Sequence, residues 1–136
     1  MECPMLASRT LPSQTRFFMV LGALSAATSV ALSAAAAHLP SLQAAGATLN
    51  TALAQQQFHA LGLMLVGLAL TRVQSVWLTA SGGLMLLGTL LFCLNLYARL
   101  LWGWDAARMA VPWGGSAFIL SWLALGAGAL LGNRRD

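Results

Sequence analysis

Apolar and polar positions in this chain fall into long blocks rather than a short alternation. Four apolar blocks, at about residues 17–37, 55–71, 76–97 and 113–131, are divided by short segments carrying Arg, Pro, Gln and Trp. A hydrocarbon core about 30 Å thick is crossed by about 20 residues of helix rising about 1.5 Å each. Each block therefore predicts one membrane-spanning helix, and the fold expected is all-α: an antiparallel integral membrane four-helix bundle.

The divisions sharpen the picture. Gly22, Ala26, Ser29, Ser33 and Ala37 recur three or four apart in the first block, a face on which helices approach closely in lipid. Pro40 stops that helix. Between Leu39 and Gln57, Leu42, Leu49 and Leu53 share a helical face, which predicts a short interfacial helix between spans 1 and 2. The second block is short alone and reaches full length if helix continues from about Leu53. Arg72-Val73-Gln74-Ser75 is a tight turn into the third block, which Trp77 opens and Asn95, Tyr97 and Arg99 close. Trp102, Trp104, Asp105 and Arg108 follow at headgroup level, as in an aromatic belt. Pro112 and Trp113 start the last block, where Gly128 and Gly132 form a GxxxG pattern.

Composition agrees: 59% of residues are hydrophobic and 7% charged, against about 25% charged in a soluble domain. One transmembrane domain, 17–132, is expected between an N-terminal segment, 1–16, and a tail, 133–136. The net charge of +4 comes from seven scattered arginines. They form no stripe that could follow a phosphate backbone, so nucleic acid is not an expected partner. They read instead as topology signals. Arg9, Arg16, Arg72, Arg134 and Arg135 fall on one side and Arg99 and Arg108 on the other, which places both termini in the cytoplasm. Arg9 and Arg16, the first apolar run and Ser33-Ala34-Ala35-Ala36 also resemble a cleavable signal peptide. Cys3 and Cys93 have neither disulfide nor metal spacing.

Antiparallel packing would bring His38, His59, Asn95, Tyr97 and Trp113 toward the outer face, with Arg99, Asp105 and Arg108 above them. His38, His59, Asn95, Tyr97 and Arg99 form the candidate cluster. Two histidines on neighbouring helices suit haem or metal ligation. With Tyr97 and Arg99 they also suit proton handling, and the group as a whole suits docking to a larger membrane complex. Hydrogen bonding that merely holds the bundle together is the structural alternative. Nucleotide-binding, metalloprotease and hydrolase motifs are absent, and the acids are Glu2, Asp105 and Asp136 only. No catalytic residue, metal site or cofactor is assigned.

The order Ala37-His38, Gln57-Phe58-His59-Ala60-Leu61, Gly88-Thr89-Leu90-Leu91-Phe92, Leu96-Tyr97 and Pro112-Trp113-Gly114-Gly115, with Phe118 and Trp122, resembles the YgdD-like family. The resemblance runs from about Phe17 to Leu131, departing at Ser33–Ala37, which has no Gly or Phe, and at Leu94 and Asn95. It implies a small four-span protein of the bacterial inner membrane and no reaction. The function expected is a non-enzymatic accessory or assembly partner whose partners are the bilayer and a larger membrane complex or a homo-oligomer. A small oligomeric transporter or channel is the alternative, and a haem-binding electron carrier the third reading. Gly22, Ala26, Gly128 and Gly132 are the expected helix-packing positions.

Overall fold

The computed structural model describes residues 11–134. Glu2, Cys3, Arg9, Arg135 and Asp136 lie outside the described residues, and with them most of the 1–16 segment and the end of the tail. Helix α1, Ser13–His38, leads through Leu39 into the single turn α2, Pro40–Gln43, and then into α3, Gly46–Ala69. A two-residue strand β1, Val73–Gln74, precedes α4, Val76–Gly88. Helix α4 passes through a π-helical segment, Thr89–Leu94, into α5, Asn95–Trp102. A 3₁₀ turn, Arg108–Ala110, begins α6, Val111–Leu131, and β2, Asn133–Arg134, ends the described chain.

The long rods pair as antiparallel neighbours, α1 on α3 and α4–α5 on α6. Small residues set the pairing. A Cβ on Gly22 would come 2.8 Å from the Ala60 carbonyl, and one on Gly128 would come 2.8 Å from the Leu78 side chain. Backbones this close maximise dispersion contact, which in lipid replaces the hydrophobic drive. Ser81 Oγ donates to the Ser121 carbonyl at 2.8 Å, fixing α4 on α6 near their centres. Two core layers result. Phe18, Leu63, Val66, Leu70, Leu78 and Met85 fill one half, and Leu42, Leu49, Leu53, Cys93, Tyr97 and Phe118 the other.

Among the described residues three helices are long and apolar enough to cross a membrane: Ser13–His38, Val76–Trp102 and Arg108–Leu131. The 24 residues of α3 have the length, but Asn50, Thr51, His59 and the three consecutive glutamines dilute their hydropathy. The outside of the rods is apolar, with Leu24, Val30, Leu61, Ile119, Leu123 and Leu130 all more than half exposed.

The connection between α1 and α3 differs from the expected interfacial helix. Only Pro40–Gln43 forms a separate turn; from Gly46 onward the chain is already the second long helix. Leu42, Leu49 and Leu53, the face read as lying on lipid, are 6%, 3% and 6% exposed and belong to the core. The reason is local: no Pro or Gly interrupts residues 47–61, and Gly46, at φ 37°, makes the sharp entry just before them. The third long helix also runs past Tyr97 to Trp102, where Gly103 caps it in the left-handed conformation, φ 65°. Asn133 and Arg134, the first residues of the expected tail, pair antiparallel with Gln74 and Val73.

Candidate functional site

Three consecutive glutamines on a helix point about 100° apart, so Gln55, Gln56 and Gln57 meet three different surroundings. Gln56 faces inward and is 5% exposed. Its Nε2 donates to the Ser25 carbonyl at 2.9 Å and to Thr28 Oγ1 at 3.1 Å. Its Oε1 accepts from the Tyr97 hydroxyl at 2.6 Å. One side chain thus ties α1, α3 and α5 together. A buried amide requires this, because a primary amide left unpaired in an apolar medium is costly.

One turn further, His59 is 2% exposed and pressed against Phe118, ring centroids 3.6 Å apart and planes 16° from parallel. Its Nε2 accepts from the Trp122 indole N–H at 3.1 Å, and its Nδ1 lies 2.8 Å from the Gln55 carbonyl. An indole N–H only donates. The tautomer is therefore dictated: Nε2 is the acceptor, and Nδ1 carries the proton and donates to Gln55. Phe58 completes an aromatic layer, edge-on to His59 and 4.9 Å from Trp122.

The sequence places His59 near the outer end of its span, but because α3 begins at Gly46, His59 stands close to its middle. His38 is exposed at the end of α1. It lies thirteen residues beyond Ser25, the residue level with Gln56, which is about 20 Å along the helix axis. The two histidines therefore cannot share one iron or zinc, whose bonds to imidazole nitrogen are about 2 Å. Among the described residues there is also no group of three or more His, Cys, Asp or Glu side chains placed to hold a metal.

The remaining candidates lie elsewhere. Asn95 Nδ2 donates to the Ala107 carbonyl at 2.5 Å, pinning the loop before α6. Arg99 Nε pairs with Asp105 at 2.9 Å in an exposed bridge. The predicted outer cluster is thus distributed over a Gln56–Tyr97 clasp, a His59–Trp122 layer, a loop anchor at Asn95 and Arg99, and a separate His38. Gly128 and Gly132 are occupied within the chain, against Leu78 and against Val73 and Ser75. Gln56, Ser25 and Thr28 were missed as site residues. The signal was available, since of three adjacent glutamines one must share the face of Leu49 and Leu53.

These polar partners all sit in helices whose outer surfaces are apolar. The family described as "Protein of unknown function (DUF423)" matches residues 32–115. The chain belongs to it. The UPF0382 inner membrane protein YgdD of Escherichia coli K12 is 32% identical over 125 residues, covering 89% of this chain and 95% of that protein. The UPF0382 membrane protein YwdK of Bacillus subtilis 168 is 31% identical over 118 residues, covering 81% and 93%. No solved structure matches. The chain is thus a helical membrane protein of an uncharacterised family. The DUF423 segment contains Gln56, His59 and Tyr97, whereas their partners Ser25, Thr28, Phe118 and Trp122 lie outside it.

Proposed function

We propose that this protein is a four-span accessory subunit of the bacterial inner membrane, with no reaction of its own, that docks on a larger integral membrane protein through α3. The observation that carries this reading is Gln57. It lies near the middle of α3, on the exposed side. Among the described residues its amide makes no hydrogen bond, in contrast to Gln56 beside it. Hydrocarbon offers such an amide no partner, whereas a neighbouring helix does. Ala47, Asn50, Ala54, Gln57 and Leu61 fall on one exposed stripe, where small residues permit close approach and two amides supply hydrogen bonds.

In this reading α3 is the fourth crossing, and its neighbours support it. Helix α1 ends at His38, and α4 starts at the opposite end of the bundle, where Thr79 meets Gln14 at 3.4 Å. A segment joining those two ends and running back along α1 is long enough to cross the same thickness. Arg16, Arg72 and Arg134 lie at the end that holds the β1–β2 pair, and Arg99 and Arg108 at the other. With Arg9 and Arg135 counted from the sequence, the arginine bias supports a reading with both termini in the cytoplasm.

A photoactivatable residue at position 57, with one at Leu123 on the exposed face of α6 as control, tests the docking in the native membrane. The expected result is one larger membrane protein cross-linked in stoichiometric yield at 57 and not at 123. Cross-links only to lipid, or only to a second copy of this chain, would overturn it.

A further inference from the structure

Beside the docking stripe, and independent of it, a lateral groove of about 340 Å³ opens between α3, the π-helical segment and α6. Its walls are five rings, those of Phe58, His59, Phe92, Phe118 and Trp122, and apart from the ring nitrogens of His59 and Trp122 its one polar side-chain group is the Gln55 amide. Phe58 and Ile119 stand at the rim, 56% and 67% exposed, so the groove is entered from the hydrocarbon. At Gly115 nothing lies within 4 Å of the position a Cβ would take, which leaves the floor open. The π-helical turn that carries Phe92 is a distortion found often at functional sites.

We propose that this groove binds the flat, oxygen-bearing ring of a membrane-soluble molecule of the quinone class. The shape and walls favour a planar ring, since aromatic faces stack at close separation and pockets of this size hold small organic ligands. The polar chemistry selects among lipid-soluble occupants. Both nitrogens of His59 are engaged, with Trp122 and with the Gln55 carbonyl. The Gln55 side-chain amide is half-buried and makes no hydrogen bond among the described residues. It can donate to a carbonyl oxygen or accept from a hydroxyl. An acyl chain would fill the volume and leave the amide unpaired. Phospholipid headgroups stay at the interface, while Gln55 stands near mid-height in α3. A quinone ring carries its oxygens into the hydrocarbon and meets both requirements.

The experiment is titration of the purified full chain in mild detergent with a short-tailed benzoquinone, read by quenching of tryptophan fluorescence. A saturable component that disappears in Trp122→Phe is expected. Gln55→Leu should weaken it about tenfold, the loss of one buried hydrogen bond. Gly115→Leu, whose Cβ enters open space and whose side chain extends into the groove, should abolish it even if Gln55→Leu folds poorly. The proposal is overturned if quenching in the native chain never saturates, or if Gly115→Leu binds as the native chain does. It is equally overturned if a methylbenzene of the same shape, lacking oxygen, competes as well as the quinone.

Discussion

The Tyr97 hydroxyl donates to Gln56 Oε1 at 2.6 Å across forty-one positions of sequence. This bond closes a path from Ser25 and Thr28 on α1, through α3, to α5. Interhelical hydrogen bonds inside membrane proteins contribute about 0.6 kcal/mol on average and up to about 1.7. Tyr97→Phe removes the donor and leaves Oε1 buried, so a loss of about 1–2 kcal/mol is expected. Adding Gln56→Leu to Tyr97→Phe should cost less than the sum of the single changes, because the orphaned acceptor is removed as well. Unfolding in mixed micelles measures this cycle. Additive losses would mean that the two residues are not coupled.

The histidine layer makes a spectroscopic prediction. Trp122 can only donate to His59 Nε2, so the proton must reside on Nδ1, facing the Gln55 carbonyl. Solid-state nitrogen NMR of the native chain should show Nδ1 as a protonated ring nitrogen and Nε2 as an unprotonated one. Trp122→Phe should then move Nε2 alone. The opposite tautomer in the native protein would contradict the Trp122 contact.

Glycines separate in the same way. Gly22 and Gly128 have neighbours 2.8 Å from a built Cβ, and the one at Gly22 is a backbone carbonyl that cannot swing aside. Gly22→Val should destabilise the bundle by about 1–3 kcal/mol through overpacking. Gly126→Val, on the same protein, meets nothing within 4 Å and should be close to neutral. Thermal denaturation in detergent compares the two. Equal effects would place α1 further from α3 than the structure does.

What could be read in advance followed strong punctuation. Pro112 sets the start of α6 to within a residue. The chain also reverses next to Arg72, although the turn itself is Leu70–Arg72 and Val73–Gln74 form β1, before Ser75 Oγ accepts from the Trp77 N–H at 3.2 Å. Where punctuation is weak, boundaries slipped. The run from Ala47 to Gln57 is not apolar enough as a whole for lipid, so its pattern reads as a surface helix. Its leucines in fact face α1 and α5. That shift of helix start moved His59 from the expected edge to mid-helix, and with it the geometry of the site. Pair identities such as Gln56–Tyr97 depend on helix rotation and register, which block patterns do not encode.

The direction of the bundle in the membrane can be determined by labelling. Gln43, exposed at the end of the single turn α2, and Gln74, exposed in the β1–β2 pair, belong to opposite ends of the rods. In a chain with Cys3→Ser, the native Cys93 is buried and should stay unreactive. Gln43→Cys should then react with a membrane-impermeant maleimide added to intact cells, and Gln74→Cys only after the membrane is opened. Two residues labelled from the same side would mean that α3 does not cross, and the arginine bias would lose its meaning as an orientation signal. Labelling at 74 in intact cells with none at 43 would keep four crossings but turn the protein over, moving the His38 end to the cytoplasm. Only the expected pattern sets Arg16, Arg72 and Arg134 against the cytoplasmic leaflet, where anionic lipid attracts basic side chains by about 1 kcal/mol each.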